Sequence, residues 1–146
     1  MSTNTPTKIT YWNRIVPELT VTDFAVSLDF YQRILGFKVL IRREEPDFVY
    51  LGLGEAQLML EALHDSGWNT GELNKPLGRG INLQIEIDNI MPILTTLEIN
   101  GIKLYLPLKD NYYYIGDSQF CQREFLVQDP DGYLFRFSQY IDHKQD

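Results

Sequence analysis

The sequence predicts an α+β fold made of two copies of a strand–helix–three-strand (βαβββ) unit. Three observations carry this. The interval from a helix-capping aspartate to a helix-stopping glycine recurs, Asp23 to Gly36 and Asp88 to Gly101. The text around each stop echoes, "LGFKVL" against "NGIKLY". The strand-like runs alternate so that each has one unbroken apolar face.

Residues 1–12, "MSTNTPTKITYW", are polar and rich in Thr and Asn, and are expected to form a flexible arm. "NRIVPELTV" (13–21) alternates as a strand. "TDFAVSLDFYQRIL" (22–35) reads as a helix: Thr22 or Asp23 can cap it, and Phe24, Leu28, Tyr31 and Leu35 recur at helical spacing. Gly36 supplies its left-handed stop. "FKVLIRR", "FVYLGL" and "AQLMLEAL" follow as three strands, with turns at "EEPD" and "GE". In the second copy "INLQIEI" is a strand and "NIMPILTTLEIN" a helix that tolerates Pro92 in its first turn. "IKLYL" is the next strand, and "REFLVQD", a turn at "PDGY" and "LFRFSQY" complete the set.

The repeats therefore span about 13–63 and 81–140, joined by a loop at 64–80 rich in Gly, Asn and Pro and followed by a tail at 141–146. "PLKDNYYYIGDSQFCQ" (107–122) is expected to be a second long loop, the kind of segment that often carries function.

Composition bounds the function. At 146 residues, 44% hydrophobic and 23% charged, the chain has the makeup of a folded domain and not of a disordered segment. No apolar run approaches the ~20 residues that span a bilayer. The first residues lack a charged-then-apolar secretory pattern, so a cytoplasmic protein with no membrane partner is expected. The net charge of −7 argues against nucleic acid, which needs clustered Lys and Arg, and favours cationic small molecules. The single cysteine, Cys121, forms no internal disulfide and belongs to no spaced Cys/His set.

Comparison of the strands separates an apolar face from a polar one. In the first, Val16, Glu18 and Thr20 alternate with Leu19 and Val21. In the fourth, Gln57, Met59 and Glu61 alternate with Leu58, Leu60 and Ala62. In the fifth, Asn82, Gln84 and Glu86 alternate with Leu83, Ile85 and Ile87, and in the last Leu134, Arg136 and Ser138 alternate with Phe135 and Phe137. The apolar faces must pack on the two helices. The polar faces either meet water or line a cleft.

The paired units, the "VTDFAVSLDFYQRILGFKVL" segment with its D…S…FY…LGF run, and the "REFLVQDPDGYLFRF" ending resemble the vicinal oxygen chelate superfamily over roughly residues 13–140. Within it they are most similar to bleomycin resistance proteins and their glyoxalase-like relatives. The resemblance implies cupped mixed sheets with the helices outside, a homodimer, and a small-molecule site in the cups or at the subunit interface. It also implies where metal-dependent members would place their four ligands: Val16, Met59, Asn82 and Arg136. Two of these are apolar or thioether side chains, one is an amide and one a permanent cation. Divalent ions of this class need carboxylate, imidazole or water, and arginine does not deprotonate to become a ligand. No metal and no cofactor is therefore expected.

These considerations lead to a metal-free, non-catalytic protein that sequesters a bleomycin-type or other bulky cationic and aromatic antibiotic. The expected ligand-binding residues are Glu18, Phe48, Tyr50, Met59, Glu61, Trp68, Asn82, Gln84, Glu86, Tyr113 and Arg136. Trp68, Phe48, Tyr50 and one of Tyr112–Tyr114 would stack on flat rings, and Glu18, Glu61 and Glu86 would attract positive charge. The alternative is a glyoxalase-like lyase or dioxygenase whose metal has moved to those three glutamates. His64, in the inter-repeat loop, and His143, in the tail, read as solvated residues, and the face taken by Glu124 is left open.

Overall fold

The computed structural model describes residues 11–142. Most of the expected N-terminal arm, and the tail with His143, lie outside that range. The described chain forms two compact units, divided between Leu73 and Asn74.

Unit 1 contains β1 (Glu18–Val21), α1 (Phe24–Asp29), β2 (Lys38–Arg43), β3 (Phe48–Leu53) and β4 (Ala56–Ala62). Its sheet runs β1-β4-β3-β2, with β1 parallel to β4 and the other pairs antiparallel. The first strand is shorter than expected, because Pro17 has no N–H to give to a ladder and its carbonyl instead accepts from Met59 N at 2.8 Å. Asp23 caps α1, its side chain accepting from Val26 N. The helix then widens into a π-turn over Phe30–Ile34 before Gly36 at φ 89°. This wider turn alters the expected spacing: the adjacent pairs Phe30/Tyr31 and Ile34/Leu35 are all buried, whereas Leu28 is only half-buried. They join Val21, Val49, Leu51, Leu58 and Leu60 in the core of the unit.

Unit 2 repeats the plan with β5 (Asn82–Glu86), α2 (Met91–Ile99), β6 (Leu106–Ile115), β7 (Ser118–Gln128) and β8 (Leu134–Ile141). Its sheet runs β5-β8-β7-β6, again with the first pair parallel. Three expectations change here. The helix is not capped by Asp88: it begins at Met91, whose N–H is taken by the Asn89 side chain at 3.0 Å, with Pro92 in the first turn. The strand expected at 102–106 lies instead at Leu106–Ile115, and the supposed loop 107–122 is a long hairpin turning at Gly116–Asp117. Pro107 and the polar "KDN" run obscured the alternation, and a register shift between Leu106 and Lys109 broke its phase. Ile141 belongs to β8 and not to the tail.

The "PDG" turn between β7 and β8 is a clasp. Asp129 accepts from the N–H groups of Asp131 and Tyr133 at 2.9 Å. Asp131 O accepts from Leu77 N at 2.8 Å, and its buried carboxylate pairs with Lys75 at 3.5 Å. Gly132, at φ 104°, lies so close to Pro76 that a Cβ would come within 2.5 Å of it, and Gly78 lies equally close to the Tyr133 ring. Residues 75–78 are thus fastened to unit 2.

Candidate functional site

Register dictates which side chains meet in unit 2. Gln84 lies beside Arg136, Leu126 pairs with Arg136, Glu124 with Ser138, and Tyr113 with Phe120. Paired residues share a face, so Gln84, Tyr113, Phe120, Gln122, Glu124, Arg136 and Tyr140 all project to the side opposite the apolar core. With Ile115 they line a cleft of about 340 Å³. Of the three consecutive tyrosines Tyr113 faces this cleft, and alternation sends Tyr112 and Tyr114 to the other face.

The floor of the cleft is a hydrogen-bonded set. Arg136 Nη2 donates to Gln84 Oε1 at 2.8 Å, and Gln84 Nε2 donates to Ser138 Oγ at 3.1 Å. Glu124 is only 7% exposed, and its Oε1 accepts from Asn111 Nδ2 and from Tyr113 O–H at 3.1 Å. Its Oε2 stands 3.9 Å from Arg136 Nη1, outside hydrogen-bond length. Arg136 Nε is buried without a partner. Burial, and then the bond to Glu124, push the Tyr113 phenol up from its ordinary pKa, so it remains a neutral donor. The walls are aromatic, with Phe120 and Tyr140 at a centroid distance of 6.3 Å.

Unit 1 carries a smaller pocket of about 240 Å³ on the corresponding face, lined by Glu18, Arg43, Glu61, His64, Ser66 and Trp68. Partial desolvation, and then the nearby Glu61, raise the Glu18 pKa against the opposing pull of Arg43. His64, expected to be solvated, lies in this pocket with Nε2 3.4 Å from Glu61 Oε2. The contact has ion-pair distance but not hydrogen-bond geometry, since Nε2 has no bonded partner. Ser66 N donates to His64 Nδ1 at 3.3 Å. Trp68 is 94% exposed at the rim.

The anticipated residues thus fall into four groups. Gln84, Tyr113 and Arg136 meet in the unit 2 cleft, and Glu18, Glu61 and Trp68 meet in the unit 1 pocket. Phe48, Tyr50 and Met59 face the polar side of unit 1, but the two aromatics are already covered. Arg43 lies over the Phe48 ring at 4.3 Å, and Trp12 makes an edge contact with Tyr50 at 4.9 Å. The Trp12 segment is strapped down: Gln57 Oε1 accepts from Asn13 N and from Tyr50 O–H, and Gln57 Nε2 donates to Tyr11 O. Tyr11 and Trp12 therefore do not belong to a free arm. Asn82 and Glu86 sit on the polar face of unit 2 outside the cleft lining, Glu86 accepting from Gln122 at 3.3 Å.

The sequence reading missed Glu124, Phe120, Gln122 and Tyr140, all on or beside the hairpin mistaken for a loop. The signal was present in the alternation of Cys121, Phe125 and Val127 with Gln122, Glu124 and Leu126.

The donor chemistry of Val16, Met59, Asn82 and Arg136 does not fit the divalent ion that metal-dependent members of the fold would hold. Among the described residues no three His, Cys, Asp or Glu side chains group closely enough to bind one elsewhere. No helix among them is long and apolar enough to cross a membrane.

Two βαβββ units, each with an apolar core on one sheet face and a polar-lined pocket on the other, define a two-repeat glyoxalase-like domain. The family model for the Glyoxalase/Bleomycin resistance protein/Dioxygenase superfamily matches residues 12–137, and the chain belongs to that superfamily. Among its relatives, a bleomycin resistance protein of Geobacillus stearothermophilus is 28% identical over 86% of this chain and 96% of its own. A lactoylglutathione lyase of Neisseria meningitidis is 28% identical over 83% and 86%. Among solved structures, a superfamily member from Vibrio splendidus 12B01 is 40% identical over 88% of this chain and 98% of its own, with a TM-score of 0.41. TioX from Micromonospora sp. ML1 shares the fold at 19% identity and a TM-score of 0.66, over 91% of this chain and all of its own.

Proposed function

We propose that this protein binds a bulky amphipathic small molecule of the bleomycin type and holds it without transforming it, as a homodimer. The observation that carries this reading is the unit 2 cleft. Aromatic walls of Tyr113, Phe120 and Tyr140 stand over a polar floor in which Arg136 donates to Gln84 and Tyr113 to Glu124, while Arg136 and Glu124 themselves stay 3.9 Å apart. Flat rings gain from aromatic walls beyond the area they bury. Pockets of about 300–1,000 Å³ with a few placed polar groups suit ligands of drug size. Unit 1 separately offers an acidic pocket, where the Glu18 and Glu61 carboxylates beside exposed Trp68 suit a cationic group. Resemblance to bleomycin resistance proteins supports the ligand class. Resemblance to lactoylglutathione lyases would argue for metal chemistry, but the donor set here does not support it.

Calorimetric titration of chelator-treated protein with metal-free bleomycin, run beside Mn²⁺ and Ni²⁺ titrations, tests the reading. Saturable drug binding near one molecule per subunit without metal uptake is expected. A clear metal isotherm with no response to the drug would favour the lyase reading instead. Light scattering should give twice the chain mass; a monomer would remove the homodimer from the proposal.

A further inference from the structure

The Arg136–Glu124 pair is the least explained part of the cleft. Both partners are held from behind: the guanidinium by Gln84 at 2.8 Å, the carboxylate by Asn111 and by Tyr113 at 3.1 Å. Yet Nη1 and Oε2 stop 3.9 Å apart. Hydrogen bonds between such groups close to about 2.7–2.9 Å when free to do so. The gap therefore leaves one strong donor and one strong acceptor side by side at the base of an aromatic-walled cleft.

The charge of the two groups limits what can dock there. An anionic ligand group would meet Arg136 favourably but press against Glu124, and a cationic group would suffer the reverse. A neutral group that carries an acceptor and a donor on one carbon satisfies both, its oxygen accepting from Nη1 and its N–H donating to Oε2. We infer that the floor of the unit 2 cleft is a receptor for a primary carboxamide, or for the equivalent lactam edge, borne on a flat aromatic ring. This rests on the reading that the cleft holds an aromatic small molecule, and it names the polar group such a molecule must present. Selectivity follows from mismatch: a ligand lacking either partner leaves a buried polar group unsatisfied, which is costlier than the bond itself is favourable.

The test titrates the intact protein with 2-naphthamide, 2-naphthoate and N,N-dimethyl-2-naphthamide, with metal-free bleomycin in parallel. Naphthamide is expected to bind at least about tenfold more tightly than either analogue. In Glu124→Gln the preference for naphthamide over naphthoate should fall at least about fivefold, because the repelling charge is gone. Arg136→Gln, at a more exposed position, provides a second variant should the first not fold, and should weaken naphthamide about tenfold while the protein retains a cooperative thermal transition. Naphthoate or the dimethylamide binding as well as naphthamide would overturn the inference, and so would a preference untouched by both substitutions. Bleomycin binding without amide discrimination would overturn it while leaving the proposed function standing. Amide discrimination without bleomycin binding would support it and remove bleomycin as the ligand.

Discussion

At the scale of single residues, Arg136 and Trp68 make the clearest claims. Arg136→Glu restores one carboxylate at a position where the family resemblance implies a ligand, but Val16, Met59 and Asn82 still offer no suitable donors. The variant is expected to bind Mn²⁺ no more tightly than the parent protein; tight binding in a metal titration would mean the ligand positions have been misassigned. Trp68 is 94% exposed, so Trp68→Ala should leave stability within about 0.5 kcal/mol while weakening bleomycin. A large drop in melting temperature would make Trp68 a packing residue. Glu18 gives a pH signature. Glu18 stays solvent-exposed, but its folded-state pKa is raised, first by partial desolvation and then by Glu61, so folding is modestly penalised when it ionises. That penalty is present at pH 7 and is lost as pH falls below the ordinary glutamate range. Glu18→Gln should therefore raise the melting temperature at pH 7 and not at pH 3.5. An equal gain at both pH values would refute the assignment.

At the scale of elements, much was legible because local chemistry and tertiary context agreed. Asp23 caps α1 and Gly36 follows the π-turn, as their spacing implied. Strands β3, β4 and β5 fall within their expected runs, and β8 exceeds its own only by Ile141. Failures occurred where local rules conflicted. Arg123 sits on the core side of β7, where a charge is not expected, because its guanidinium pairs with Asp110 at 2.8 Å across the hairpin. That pairing cannot be seen until β6 is known to be a strand, and without it Glu124 has no assignable face. The clasp was likewise invisible: "DPDG" announces a turn, but not that Pro76 would lie against Gly132. Gly132→Ala combines a left-handed backbone with a collision against Pro76. It is expected to cost more than about 2 kcal/mol in a urea titration; a loss below about 0.5 kcal/mol would show that the Pro76 segment yields freely.

At the scale of the whole molecule, the charge of −7 sets long-range behaviour. If the ligand is cationic, part of its attraction comes from this field. Raising salt from about 0.01 M to about 1 M shortens the Debye length from about 30 Å to about 3 Å, so bleomycin affinity should fall several-fold. An affinity independent of salt would place recognition entirely in short-range contacts.

The clasp also says where the polypeptide can be divided. The repeat pattern in the sequence suggests cutting at Ile81, where the strand begins, but residues 75–78 belong structurally to unit 2. A gene fragment starting at Asn74 retains Lys75 for the buried Asp131 and Pro76 beneath Gly132. One starting at Ile81 deletes both, removing the partner of a buried carboxylate. The ancestral module, if the two halves arose by duplication, is then better sought with its lead-in peptide attached than as a strand-to-strand repeat.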